Sequence, residues 1–247
     1  MTSTHSRLFL LLAVVGAFAC GSDDGDASAA ATTSELSDAA TMEAVIVASV
    51  TPSDLTDGES ASASADATVE ALLGDCVTSV TTATTTTWTL SACTGPWGLV
   101  TVDGTIVGSY RIGRTGIVGT LTVDLVTSEG GTLDFDADIT YGTDGSIAVE
   151  STASGLGRRG NVTSRTGSYT LNLDGDCVAV DGEWSGTRSD AWTLVVVGYS
   201  ACSGACPSGT LTRTGVVGGT LAFDGTDTAV FTSTGGESRE VSLVCGE

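Results

Sequence analysis

Hydrophobic and polar residues alternate along much of this chain, most regularly between Gly98 and Val126. A period of two is typical of a strand with one buried face, and the four residues 113–116, with the sequence GRTG, supply a turn between two such runs. The stretch therefore predicts a long antiparallel strand pair. The apolar residues that share a parity are Val100, Val102, Ile106, Tyr110 and Ile112 in the first run, and Leu121, Val123 and Leu125 in the second.

Similar units with short turns continue to the end of the chain, and they predict about eleven or twelve strands within residues 75–247. Residues 37–74 differ, because apolar positions recur there at helical spacing in Ser37–Val50 and again in Asp66–Leu73. The predicted fold class is all-β. We expect a large curved antiparallel meander, either a half-open or closed barrel or a sandwich, packed on one or two short N-terminal helices.

The N-terminus predicts export. Residues 1–19 combine Arg7 with an apolar run that is too short to span a bilayer, as in a signal peptide. Cys20 follows small residues, which indicates a lipid-modified cysteine, and Gly21 after it favours the outer membrane. Plain secretion is the alternative, since Ala17 and Ala19 would also suit an ordinary secretory peptidase. Residues 20–36 are small and acidic and predict a flexible tether.

Cysteine counting agrees with an oxidising compartment. Removal of Cys20 from the seven cysteines leaves an even number, which predicts three disulfides with fifteen possible pairings. A zinc site is disfavoured, because the mature chain has no histidine and the cysteines lack short two-residue spacing. The six remaining cysteines are Cys76, Cys93, Cys177, Cys202, Cys206 and Cys245.

Two parts of the β region repeat each other. RTGIVGTLTVD from Arg114 matches RTGVVGGTLAFD from Arg213, and a Trp-Thr-Leu motif precedes each, at Trp88 and Trp192. This spacing indicates a duplication, with copies at 75–164 and 165–247. Common hairpin chemistry is the alternative, because RTGSYTLNLD from Arg165 is also similar. If the duplication is real, Cys76 pairs with Cys93, Cys177 with Cys202 and Cys206 with Cys245.

Charge and composition exclude several classes of function. The net charge is −21, and it becomes more negative once Arg7 is removed, so nucleic-acid binding is not expected. The chain contains no lysine, and its single histidine, His5, lies in the leader. Catalysis through a Ser/His/Asp triad, a Cys/His pair or a lysine Schiff base is therefore excluded for the mature chain. We expect no enzyme activity and no cofactor.

Three sets of residues remain as candidate sites. Arg158, Arg159 and Arg165 bracket a glycine-rich loop and could bind an anion, although such a loop is more often simply exposed. Alternating aspartates in the sequence LDFDADITY could bind calcium but more often form the solvent face of a strand; they are Asp134, Asp136 and Asp138. Tryptophans could stack on sugars but are more often core residues; they are Trp88, Trp97, Trp184 and Trp192.

The leader with Cys20, the six further cysteines and the Trp-Thr-Leu motifs resemble the glycine- and threonine-rich lipoproteins of myxobacteria-like organisms, a group without an assigned function. The resemblance implies a membrane partner through Cys20. The expected function is an exported, lipid-anchored envelope or surface protein that binds a partner or acts as a scaffold, with an envelope protein, a glycan or an apolar ligand as possible partners. The alternatives are an apolar-ligand or lipoprotein carrier with a half-barrel cavity and a carboxylate-dependent hydrolase, for which Glu183 beside Trp184 is one conceivable acid.

Overall fold

A computed structural model describes residues 43–44, 46–94, 101–128, 130–142, 144–156, 162–174, 177–187, 190–202, 205–216 and 218–243. The leader and tether, including Cys20, lie outside these residues. The same holds for Arg158, Arg159, Trp97 and Cys245. Predictions about those positions therefore stay predictions.

Thirteen antiparallel strands form one sheet, and their order across the sheet is their order along the chain. Among the described residues β1 and β13 do not pair with each other, so the meander is open. The predicted all-β antiparallel meander is thus confirmed. The strands are β1 (Val77–Thr82), β2 (Thr85–Thr94), β3 (Thr101–Ile112), β4 (Ile117–Thr127), β5 (Thr132–Tyr141), β6 (Ser146–Leu156), β7 (Val162–Asp174), β8 (Cys177–Thr187), β9 (Ala191–Cys202), β10 (Ser208–Thr214), β11 (Gly219–Asp224), β12 (Thr228–Ser233) and β13 (Ser238–Ser242).

The predicted strand pair is the β3–β4 hairpin. Its register runs from Val102 opposite Thr127 to Ile112 opposite Ile117, and the turn is closed by a 2.7 Å hydrogen bond from the Gly113 amide to the Gly116 carbonyl. In β4 every second side chain is buried and its neighbours face solvent. Strand β5 alternates in the same way. The sheet therefore has one apolar, buried face and one polar, exposed face, which we call the buried face and the polar face.

Aromatic rings on the buried face lie opposite glycines of the next strand. Trp184 pairs with Gly167, and a Cβ atom at Gly167 would come within 2.7 Å of the indole ring. The pairing is repeated by Tyr169 with Gly182, Tyr110 with Gly119 and Trp192 with Gly186. Absence of a side chain on one strand gives the ring on the other strand room to lie flat against the sheet. This packing explains why these four positions are glycines.

Two helical segments cover part of the buried face. Residues 43–44 and 46–49 are helical, and α1 (Gly58–Leu73) follows and contacts β1, β2 and β3. The helix α1 begins before the predicted start at Asp66, because Asp57 caps it by accepting a 2.8 Å hydrogen bond from the Ser60 amide. Its buried stripe is Ala61, Ala65 and Val69. The sequence prediction missed the first half of this stripe, because it consists of small residues in a serine-rich segment.

Two disulfides occupy equivalent places in the two predicted copies. Cys76–Cys93 joins the residue just before β1 to the end of β2, and Cys177–Cys202 joins the start of β8 to the end of β9. Both predicted pairings are thereby confirmed. Cys206 is also disulfide-bonded. The two disulfides thus bridge the hairpins β1–β2 and β8–β9 in a similar way, and the duplication with copies at 75–164 and 165–247 stays a prediction.

Candidate functional site

The polar face carries a broad groove across strands β4 to β9, with a volume of about 1120 Å³. Alternation along the strands turns their apolar residues inward, so the groove is lined by hydroxyl and carboxylate side chains together with Val195 and Val197. We call this surface the acidic groove. Its five carboxylates are Asp136, Asp138, Glu150, Asp181 and Glu183.

Strand register brings these carboxylates together. Asp138 lies directly opposite Glu150, and Ser168 separates Glu150 from Glu183 on the next strands. Side chains directly opposite one another in a sheet have Cβ atoms about 5 Å apart. The Ser168 hydroxyl donates a 2.7 Å hydrogen bond to Glu150. The groove therefore presents hydrogen-bond acceptors and negative charge over several adjacent strands.

The row of aspartates predicted as a possible calcium site forms part of this polar face. Asp134, Asp136 and Asp138 are exposed on β5, and they alternate with buried residues. Thr122 donates a 2.7 Å hydrogen bond to Asp136. Burial first, and then the adjacent Asp124 carboxylate, raises the pKa of Asp134. Within the described residues no group of three metal-ligating side chains converges. The alternating exposure places the three aspartates on the solvent face of the strand.

Arg165 lies in β7 and not in an exposed loop. Its side chain is only 6% exposed, and the guanidinium is bound to Glu43 by N–O contacts of 2.8 and 2.9 Å. Glu43 is fully buried and also accepts a hydrogen bond from the Ser151 hydroxyl. The hypothesis that Arg165 belongs to an anion-binding loop is therefore wrong for this residue, because its guanidinium is buried and paired with a carboxylate of the same chain. We call Glu43, Ser151 and Arg165 the buried ionic cluster.

Aromatic side chains surround the buried ionic cluster. Tyr169 stacks on Trp184 with ring centroids 4.7 Å apart. Burial first, and then the nearby Glu43 carboxylate, raises the pKa of Tyr169. The Trp184 indole nitrogen is buried without a hydrogen-bond partner. A buried donor without a partner is rare in folded proteins, and its lost hydration lowers the stability of the folded state.

The three tryptophans among the described residues do not form a sugar-stacking platform. Trp88, Trp184 and Trp192 are all buried on the inner side of the sheet, which confirms their predicted role as core residues. The Trp88 indole also donates a 2.9 Å hydrogen bond to Asp66 of α1. Glu183 and Trp184 therefore point to opposite faces and do not share one site.

Sequence reasoning missed Glu43 as a site residue. The residue interrupts an apolar helical stretch, MEAVIVASV, and a single charge within such a stretch is the signal that could have found it. Its partners are more than a hundred residues away in sequence, with Ser151 at a separation of 108 and Arg165 at 122. Only the folded structure shows that Ser151 and Arg165 are the partners of Glu43.

The fold and the site define a class, namely an open 13-stranded antiparallel meander with an acidic polar face and an ionic cluster in its core. No protein-family profile, no curated protein and no solved structure matches the chain. The helices of the described part of the chain are each too short or too polar to cross a membrane.

Proposed function

We propose that this chain is an exported, lipid-anchored envelope or surface protein that acts by binding a partner or as a scaffold, without catalysis. The acidic groove is the single observation that carries the binding role. Cys20, which precedes the tether at residues 20–36, is the proposed point of attachment to the membrane. The outer membrane is the preferred location, with secretion as the alternative.

The groove supports a partner with positive charge and hydrogen-bond donors. It has five carboxylates and a row of hydroxyls, and it offers no arginine among its lining residues. Val197 is 60% exposed at one side of the groove and provides an apolar contact. A basic segment of another envelope protein fits this chemistry better than a nucleic acid, a phosphate or a sugar that requires an aromatic platform.

The two alternative functions receive less support. A hydrolase needs two acids on opposite sides of a substrate, whereas Asp138 and Glu150 stand side by side on the groove floor. An apolar-ligand carrier needs space on the buried face. There, Val102, Ile106 and Tyr110 are buried, and the Tyr110 hydroxyl donates a 2.8 Å hydrogen bond to the Val50 carbonyl.

The anchor is tested with the full-length chain expressed in a bacterial host. We expect the wild-type protein in the membrane fraction, with an intact mass that includes a diacylglycerol on Cys20 and three disulfides. The Cys20→Ala variant should lose the lipid and leave the membrane fraction. A soluble wild-type product cut after Ala19 and carrying no lipid would contradict the anchor and favour secretion.

The binding role is tested separately by calorimetric titration of the mature protein with an arginine-rich peptide. We expect saturable binding that weakens with added salt. It should be lost in a variant carrying Asp138→Asn, Glu150→Gln and Glu183→Gln. A matched variant with Glu59→Gln, Glu237→Gln and Glu240→Gln removes the same number of charges outside the groove. Equal binding by both variants would mean that net charge, and not the groove, attracts the peptide.

A further inference from the structure

The open meander ends in two edge strands, β1 and β13, which differ in how they are protected. An edge strand leaves one row of backbone amides and carbonyls unpaired, and proteins commonly shield such a row with charged side chains, proline or a β-bulge. β13 has the sequence SREVS and carries a charge of each sign. β1 has the sequence VTSVTT and pairs with β2 without a register shift, so it has none of these features. The outer edge of β1 is therefore suited to receive another strand.

Hydrogen bonds inside the sheet determine which residues present backbone groups at these two edges. The Tyr110 amide donates a 2.8 Å hydrogen bond to the Thr84 carbonyl, so even-numbered residues of β2 bond to β3 and odd-numbered ones bond to β1. In β13 the Leu243 amide donates a 2.7 Å hydrogen bond to the Asp227 carbonyl, so the odd-numbered residues bond to β12. The outward backbone groups therefore belong to Val77, Ser79 and Thr81 in β1 and to Ser238, Glu240 and Ser242 in β13.

The side chains of these outward residues decide the direction in which β13 of one copy can pair with β1 of another. In β1 they lie on the buried face, as with Val77, whereas in β13 they lie on the polar face, where Glu240 is opposite the exposed Val230. In an antiparallel pair the outward residues of both strands lie directly opposite each other, so the buried face of one copy would continue into the polar face of the next. In a parallel pair an outward residue lies opposite an inward one. A parallel pairing therefore continues both faces of the sheet from copy to copy.

Charge distinguishes the two edges on the side of the buried face. At β1 the Ser79 hydroxyl donates a 3.3 Å hydrogen bond to Glu70, and Thr81 donates a 2.9 Å hydrogen bond to Asp66, both on α1. At β13 Arg239 is exposed, and its guanidinium lies over an aromatic ring of β12, 5.3 Å from the ring centroid. Two β1 strands would bring carboxylates together, and two β13 strands would bring their own like charges together. The unlike edges are complementary.

From this arrangement we propose that β13 of one copy of this chain adds to β1 of a second copy as a parallel strand, so that copies join head to tail. Ser238–Ser242 lies alongside Thr78–Thr82 of the second copy. In this register Arg239 lies opposite Ser79 and forms an ion pair with Glu70. Such a contact joins two different surfaces, and it therefore generates a ring or an open filament. The proposal goes beyond the proposed function, because it depends on the sheet edges and not on the lipid anchor or the acidic groove.

Backbone hydrogen bonds supply most of the attraction in this contact. Ser79 and Thr81 each present an amide and a carbonyl, which gives about four hydrogen bonds between the two strands. The net charge of −21 on each copy opposes association of free molecules. Chains held on one membrane by the proposed lipid anchor would have a high local concentration, which favours weak contacts. We therefore expect weak association in solution and stronger association at a surface.

The test is thiol cross-linking between two mature chains that carry Cys20→Ala, so its result does not depend on the anchor. One chain has Val80→Cys in β1 and the other has Glu240→Cys in β13, both at exposed positions on the polar face. A short bis-maleimide is added to each chain alone and to the mixture, at about 0.15 M salt so that distant charges are screened. We expect the mixed product to form at least about tenfold faster than either symmetric product, because only unlike edges meet.

Random collision is measured with a mixture of the Glu240→Cys chain and a Thr122→Cys chain, whose new cysteine lies on the exposed face of the central strand β4. Equal rates in the two mixtures, or faster formation of a symmetric product, would overturn the proposal. Each chain carries a single new cysteine, so pairing of β1 with β13 inside one chain gives no product and would also overturn it.

Charge reversal then tests the proposed ion pair. Arg239→Glu in the Glu240→Cys chain should slow the mixed product about two- to fivefold, the range of an exposed ion pair. Glu70→Arg in the Val80→Cys chain should restore the rate, and Glu59→Arg at the other end of α1 should not. Circular dichroism checks that each variant is folded, and Arg239→Gln, with a smaller expected slowing, replaces Arg239→Glu if that variant does not fold. An unchanged rate with Arg239 substituted, or equal restoration by both arginine variants of α1, would contradict the pairing.

Discussion

The two faces of the sheet handle charge in different ways. On the polar face the carboxylates of the acidic groove stand exposed, and their partners are hydroxyls such as Ser168. On the buried face the Glu43 carboxylate is completely enclosed and has both a guanidinium and a hydroxyl partner. Water stabilises an exposed carboxylate wherever it lies, whereas a buried one depends on specific partners. The polar face should therefore tolerate substitution, and the buried face should not.

The largest expected effect comes from breaking the buried ion pair. Glu43→Ala leaves Arg165 charged and enclosed, and we expect a loss of about 3–5 kcal/mol in the free energy of unfolding. Glu150→Ala on the polar face serves as the control, with an expected change within about 0.5 kcal/mol. Urea unfolding followed by tryptophan fluorescence measures both. Similar losses of stability in the two variants would contradict the expectation that the buried face tolerates substitution less well than the polar face.

A smaller effect on stability is expected from substitutions at two adjacent residues of β7, one on each face of the sheet. Gly167→Ala places a methyl group against Trp184 and the Ser151 hydroxyl, each at 2.7 Å, and should cost about 1–3 kcal/mol. The neighbouring Thr166→Ala substitution points to the polar face and should change the stability by less than about 0.5 kcal/mol. The same urea titration applies. A neutral Gly167→Ala variant would mean that the aromatic ring can move aside.

Removal of the hydroxyl group from two tyrosines on the buried face should change the free energy of unfolding in opposite directions. The Tyr110 hydroxyl donates to the Val50 carbonyl, so Tyr110→Phe should lower the stability by about 1 kcal/mol. The Tyr199 hydroxyl is buried without a partner, so Tyr199→Phe should be neutral or stabilising by up to about 1 kcal/mol. Thermal unfolding of the two variants in parallel makes the comparison. A loss of stability in Tyr199→Phe would show that its hydroxyl has a partner in solution.

The smallest expected effect concerns Asp134 on the polar face. Its raised pKa means that the folded state holds the proton more tightly than the unfolded state does, so the associated stability is present at low pH and is lost as the pH rises through the folded-state pKa. Asp134→Asn should therefore be slightly more stable than wild type at neutral pH, with no gain near about pH 3. Urea unfolding at both pH values measures it. Asp136→Asn loses the charged acceptor of Thr122 and should show no gain.

Much of the fold follows from short-range sequence patterns. Alternation of period two marks the strands β3, β4 and β5, and the turn at Gly113–Gly116 sets the register of the first hairpin. Both observed disulfide pairings follow from the repeated motifs. Such patterns succeed because neighbouring strands in a meander are also neighbours in sequence. The start of α1 was harder to predict from the sequence, because the buried stripe of this helix consists of small residues within a serine-rich segment.

The candidate site was only partly predictable. The solvent-facing aspartates of β5 and the buried tryptophans follow from strand parity. The environment of Arg165 does not, because the sequence places it near a glycine-rich loop, whereas the folded sheet turns it inward towards Glu43. A local pattern specifies which face a side chain takes once the register is known, but it cannot specify what is brought against that face from elsewhere in the chain.

The sequence by itself determined an antiparallel meander, its alternating faces and the hairpin disulfides, since each depends on contacts between residues close together in the chain. Tertiary structure alone decided that the sheet stays open, that carboxylates from the three strands β5, β6 and β8 combine into one groove, and that Glu43 meets Arg165 across a separation of 122 residues. The physical reason is that these features arise from the shape of the whole sheet and from the packing of the helical segment that contains Glu43 against it. Both are sums of many small packing terms, and no short stretch of sequence contains them.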